Sequence, residues 1–153
     1  MQEIFFSSKS TAKYKSDIER IFFNKNQIRY HDMIEKSIEV YGIPHIEIIE
    51  NQIHFTFEII KSFQSLYAFD DKNYSGFVLG VAHYFRDTAA DMKIIHIAVD
   101  ENCSFQSMFE EETITARLIN EVRNISFAIK GIETVTLPYS NYKIYINNKF
   151  SLF

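Results

Sequence analysis

The chain has 153 residues, 46% of them hydrophobic, with fifteen Phe, nine Tyr, no Trp and a net charge of −4. That length suits one domain over residues 1–153, and that apolar content can fill a core without disulfide or metal staples. A lone cysteine, Cys103, excludes an internal disulfide, no apolar run approaches the ~20 residues that span a bilayer, and no secretory leader pattern opens the chain, so a cytoplasmic location is expected.

In chain order, residues 1–6 read as a short strand. Tyr14, Ile18, Ile21 and Phe22 recur at helical spacing and mark a first helix. Tyr30, Ile34, Ile38 and Tyr41 mark a second, stopped by Gly42 and Pro44. Ile46 and Ile48, then Ile53, Phe55, Phe57 and Ile59, alternate on either side of Asn51-Gln52 and predict a hairpin. Residues 63–69 predict another strand, turned by Asp70-Asp71-Lys72-Asn73 into a long strand over 75–85, whose partner runs over 92–99.

A long amphipathic helix is predicted over 110–130. Ser107 and Glu110 stand in capping-box register, and Glu110, Glu111 and Glu112 would complement the positive end of the helix dipole. Ile114, Leu118, Val122, Ile125 and Ile129 form its apolar stripe, and Gly131 ends it. Residues 132–137 extend as a strand and 142–146 as an edge strand. The expected fold is therefore α+β: a mainly antiparallel, twisted sheet of about six strands, with two N-terminal helices and one long helix after the central strands.

The net charge conceals a division along the chain. Residues 1–45 carry seven Lys/Arg against six Asp/Glu, residues 46–112 four against twelve, and residues 113–153 five against two. The acidic middle argues against nucleic acid or an anionic membrane as its partner, because phosphate contacts need Lys and Arg. If the strands form an up-down meander, Asp70, Asp71, Asp100 and Glu101 share one end of the sheet with Glu110, Glu111 and Glu112. Seven carboxylates would then line one rim. A rim of that kind is either a solvated, well-capped helix end with acidic turns or a docking face for a basic protein, whose encounter its field would accelerate. The spacing of an EF-hand calcium loop is absent.

Residues with catalytic chemistry form no complete set. His54-Phe55-Thr56 has the His-x-Thr spacing of two-histidine phosphoesterases, with both side chains on one strand face, but His83-Tyr84-Phe85 and His96-Ile97-Ala98 lack the hydroxyl of a second motif. An ordinary strand histidine is the commoner meaning of such a match. The five histidines show no tight metal-ligand spacing, so no metal is expected. Cys103 and His96 could form a nucleophile and base, yet Cys103 falls beyond the strand end, and a structural thiol is the simpler reading. Tyr139, Tyr142 and Tyr145 either line a pocket or cover a sheet edge.

The order β-β-α-β between Phe77 and Leu137, entered through Gly76-Phe77-Val78-Leu79-Gly80 and closing in Gly131-Ile132-Glu133-Thr134-Val135, resembles the central core of the GNAT acyltransferase superfamily. The resemblance covers about residues 76–137 and implies that acyl-CoA would lie beside His96-Ile97-Ala98-Val99. Where that family places a basic, Gly-rich pyrophosphate loop, residues 100–109 contain no Gly, Lys or Arg and lead into three Glu. Ile95 stands where many members carry a catalytic Glu.

The expected function is a non-catalytic intracellular binding protein of inhibitor or immunity type, without a cofactor, docking a basic protein such as a nuclease or toxin through the acidic rim. The alternatives are a divergent CoA-dependent N-acyltransferase and a two-histidine-type phosphoesterase. Pairing of edge strands between two copies is left open.

Overall fold

In the computed structural model the described residues are 3–22, 40–42, 44–60, 62–73, 77–100 and 113–146. They form β1 (Phe5–Ser7), α1 (Lys15–Phe22, entered through a 3-10 turn at Ala12–Tyr14), β2 (His45–Ile49), β3 (Gln52–Thr56), β4 (Gln64–Phe69), β5 (Val78–Thr88), β6 (Asp91–Val99), α2 (Ile114–Phe127), β7 (Thr134–Thr136) and β8 (Lys143–Tyr145). Six strands make one sheet in the order β1-β4-β5-β6-β7-β8, antiparallel except for the β6–β7 pair. The expected α+β class and mainly antiparallel sheet are both present. Most of the second predicted helix lies outside the described residues, as do Ser107 and Cys103.

The predicted hairpin forms, but as a separate two-stranded sheet, β2–β3. Its turn is Glu50-Asn51, one residue earlier than the sequence suggested, with Ile49 paired to Gln52. Both turn residues have positive φ, 50° and 62°. A two-residue hairpin needs left-handed backbone at both central positions to match the twist of its strands, and Asn51 tolerates that at the second. At the entry to the hairpin, Gly42 has φ +89°, and a Cβ there would lie 2.7 Å from Glu58 Cβ, so only glycine fits on both counts.

Each face of the large sheet has its own apolar layer. On one, α2 packs Ile114, Leu118, Ile119 and Val122 against Leu66, Ala68, Ala82, Ile94 and Ile97. On the other, Ile18 and Ile21 of α1, with Ile53 and Phe55 of the hairpin, cover Tyr67, Phe69, Val81 and Ala98. Three register shifts break strict alternation; beside the one between Arg86 and Thr88 at the β5–β6 turn, Ala68 pairs with Gly80 but Phe69 with Val78, and His83 pairs with His96 but Tyr84 with Ile94. The extra residues of the latter two, Leu79 and Ile95, let adjacent positions face the same layer and increase local twist.

Helix α2 begins later than predicted. Thr113 is its N-cap, extended at φ −67° and ψ 153°, and its hydroxyl accepts the Ala116 N–H at 3.0 Å. A hydroxyl on an extended residue satisfies one of the otherwise orphaned N–H groups at a helix start. Ile114, Leu118 and Val122 are buried as expected, joined by Ala116, Ile119 and Ser126, whereas Ile125 and Ile129 are only half-buried. Gly131, at φ +94°, turns the chain into β7, where Glu133 N–H donates to the Ala90 carbonyl at 2.7 Å. Asp91 then locks β6 to β7 and β8: its buried carboxylate accepts the Thr134 and Thr136 hydroxyls at 2.8 and 2.7 Å and lies 3.2 Å from Lys143 Nζ. A buried carboxylate with three partners is tolerated where an isolated one would not be. Among the described residues no helix is long and apolar enough to cross a membrane.

Candidate functional site

The start of β5 is the centre of one sheet end. Asp70 N–H donates to the Phe77 carbonyl at 3.3 Å, and Phe77 N–H donates to Asp70 Oδ1 at 2.8 Å. On the other side, Asp100 N–H donates to the Leu79 carbonyl at 2.8 Å. The meander thus brings Asp70, Asp71 and Asp100 to the same end of the sheet. The first turn of α2 lies over it as well, since a Cβ on Gly80 would meet Leu118 Cδ1 at 3.0 Å and Ile114 Cγ2 at 3.1 Å. The other carboxylates of the predicted rim, Glu101, Glu110, Glu111 and Glu112, lie outside the described residues.

The three placed carboxylates have different local roles. Asp70 closes the β4–β5 connection through Phe77, and Asp71 Oδ1 accepts the Asn73 N–H at 3.1 Å, a local turn that Asp favours. Asp100 is 13% exposed at its side chain and meets Arg20 Nη1 of α1 at 2.9 Å. That pair ties the end of β6 to α1 and offsets one negative charge. Between these groups stands Phe77, 71% exposed, held by the paired hydrogen bonds to Asp70. Its position was only partly legible: it precedes an unbroken buried run from Val78 to Tyr84, and nothing in the alternation marks it as turned to solvent.

A second constellation sits where β6 and β7 part. Their ladder covers Asp91–Lys93 against Thr134–Thr136, after which β6 continues to Val99. The Tyr139 hydroxyl bridges the opening. It contacts His96 Nδ1, accepts the Ile97 N–H at 3.3 Å and donates toward the Ile97 carbonyl at 3.1 Å, from a residue whose own φ is 59°. Burial pushes His96 down to about 4, so its imidazole is neutral at pH 7. His83, its cross-strand partner, is held well below the usual histidine value by burial and then by His96, and is ringed edge-on by Phe55, Phe57 and Phe63. Ser65 Oγ lies 3.0 Å from His83 Nδ1.

The remaining candidates fall elsewhere. His54 and Thr56 do share the exposed face of β3, opposite Glu47 and His45. Tyr142 and Tyr145 are exposed beside and on edge strand β8. Neither the tyrosine–histidine contact nor the Asp91 cluster was anticipated; the Thr-x-Thr spacing at 134 and 136 was the available sign of the latter. No group of three or more potential metal ligands occurs among the described residues. The chain matches no protein-family model, no curated protein and no solved structure.

Proposed function

We propose that this chain is a non-catalytic binding protein of inhibitor or immunity type, docking a basic protein through the sheet end around Phe77. The observation that carries the reading is the placement of Phe77, whose ring is 71% exposed and whose backbone is held at the base of β5 by two hydrogen bonds to Asp70. An exposed aromatic on a hydrogen-bonded backbone presents a large apolar contact without loop ordering, which is the property of an interface anchor. Asp70 and Asp71 lie at the same sheet end, and the sequence that follows β6 adds Glu101, Glu110, Glu111 and Glu112, so a Lys/Arg-rich surface is the complement. The contact of Tyr139 with Ile97 also supports binding over catalysis, because the edge of β6 is engaged by the chain's own side chain.

The test is recovery of a stoichiometric partner from the native host, followed by affinity measurement. Phe77→Ala should weaken binding of that partner at least tenfold without lowering the melting temperature. Equal affinities for wild type and Phe77→Ala would sink the reading.

One observation favours the alternative, a divergent CoA-dependent N-acyltransferase. The order β5-β6-α2-β7 is the β-β-α-β order on which the resemblance rests. A saturable rise in melting temperature with millimolar acetyl-CoA would choose this reading. Ligand at about a hundred times its dissociation constant adds about 2.7 kcal/mol to stability.

A further inference from the structure

Among the described residues the hairpin has one covered edge and one open edge. On the β3 side, residues 10–12 already run alongside: Ile53 N–H donates to the Ser10 carbonyl at 2.8 Å, Ala12 N–H to the Asn51 carbonyl at 3.0 Å, and Thr11 bridges Gln52. On the β2 side, no described residue pairs with His45–Ile49. The register identifies the groups left over. In a two-residue hairpin the residues flanking the turn, here Ile49 and Gln52, exchange hydrogen bonds, and the alternation continues along the strands. The N–H and C=O of Ile49, Glu47 and His45 therefore point inward, and those of Ile46 and Ile48 point outward.

Within β2 itself most of the usual protections of an edge are missing, Glu47 being its one acidic residue. β2 contains no proline, no lysine and no bulge, and Ile48 and Ile49 are 47% and 49% exposed. Its two faces differ. Ile46 and Ile48, opposite Phe55 and Ile53, continue the apolar underside of the hairpin toward the open edge. Glu47 stands on the outer face, and residues 45–58 contain Glu47, Glu50 and Glu58 but no Lys or Arg. An incoming strand would thus meet apolar neighbours on one face and negative charge on the other.

We propose that the outer edge of β2 is a strand-addition site that takes an extended basic segment of a partner protein, alternating apolar and Lys/Arg residues, as the third strand of the hairpin sheet. Backbone hydrogen bonds to Ile46 and Ile48 supply the register, and Glu47 selects for charge. A second copy of this chain is the poorer occupant. A twofold-related, centred antiparallel β2 pair would set Glu47 against Glu47, and like charges directly opposite destabilise a sheet. The site is carried by the hairpin alone and stands whether or not the sheet end around Phe77 docks a partner.

The test uses the whole chain and an acetylated, amidated peptide of sequence Val-Lys-Val-Lys-Val-Lys, with Val-Glu-Val-Glu-Val-Glu as control. Expected are saturable binding of the lysine peptide alone and slowed hydrogen exchange at the Ile46 and Ile48 amides. Ile48→Pro removes an outward-pointing N–H and no ladder bond, so it should abolish binding while leaving the melting transition in place. Glu47→Lys should weaken binding at least tenfold. Three results would overturn the proposal: no binding of the lysine peptide, equal binding by folded Ile48→Pro, or wild-type self-association at micromolar concentration that Ile48→Pro abolishes, which would make the occupant a second copy. Glu47→Lys serves as the arm that keeps the test decisive if Ile48→Pro does not fold.

Discussion

His83 and His96 stand opposite each other in the β5–β6 ladder, both buried, each with a hydroxyl group at its Nδ1: Ser65 for the first and Tyr139 for the second. Two imidazoles side by side in an apolar layer cannot both become charged without strong repulsion and desolvation. Their folded-state values are depressed by burial, His96 from 6.5 to about 4 and His83 well below 6.5. Between those limits the unfolded chain binds more protons than the folded one, so their contribution to stability is complete above about pH 6.5 and is lost as pH falls toward 4. At about 1.4 kcal/mol per pH unit, His96 alone accounts for on the order of 3 kcal/mol. The urea midpoint should fall steadily over that window, and imidazole NMR signals of both residues should remain those of neutral rings at pH 5.5. A protonated His83 or His96 in the folded protein at that pH would contradict the argument.

Tyr139→Phe tests the junction between β6 and β7. It keeps the ring and the backbone but removes the hydroxyl that reaches both polar groups of Ile97. Loss of these bonds in a part-buried setting should cost about 1–2 kcal/mol. Hydrogen exchange at the Ile97 amide should accelerate more than at Ala82, its partner across the β5–β6 ladder. Equal acceleration at both would mean that the whole sheet has loosened and that Tyr139 does not act locally.

The strand and helix periods were legible because β-branched and aromatic residues alternate where a sheet face is buried, and Leu118 and Val122 recur where a helix face is. What was hidden has a common cause. Bulges at Leu79 and Ile95 are fixed by how neighbouring strands pack, and a single strand carries no trace of them. The sequence placed the helix start at the capping-box register of Ser107 and Glu110, whereas Thr113 caps α2. The acidic rim was half-legible. The meander does gather Asp70, Asp71 and Asp100 at one end, but charge counting cannot reveal that Asp100 is held by Arg20, or that Asp91, counted in the same acidic stretch, is buried against Lys143.

At Gly80, α2 packs closely on β5. An added Cβ would lie 3.0 Å from Leu118 Cδ1, 3.1 Å from Ile114 Cγ2 and 3.1 Å from the Ala98 carbonyl oxygen. The two side chains can shift a little, but the carbonyl belongs to the β5–β6 ladder and cannot. Gly80→Ala should therefore destabilise by about 1 kcal/mol and Gly80→Val by about 2–3 kcal/mol, the range for overpacking a filled core. Denaturant melts measure both. A Gly80→Val protein as stable as wild type would show that α2 does not seat on β5 as described.

The proposed docking face separates into an anchor and a field, and kinetics can tell them apart. Phe77 acts through contact, so Phe77→Ala should raise the dissociation rate of the partner recovered from the host and leave association within about threefold. The carboxylates act at a distance. Replacing Asp70 and Asp71 by Asn keeps the acceptors for the Phe77 and Asn73 N–H groups, and replacing Glu110, Glu111 and Glu112 by Gln removes the charge that precedes α2 in sequence. That variant should associate more slowly while dissociating at nearly the wild-type rate. Rim charges are screened over a Debye length of about 8 Å at physiological ionic strength, so wild-type association should slow as salt is raised and the neutralised variant should respond little. An unchanged association rate and salt slope in the neutralised variant would return the carboxylates to ordinary surface. If Phe77→Ala also left dissociation unchanged, the sheet end would have no part in binding.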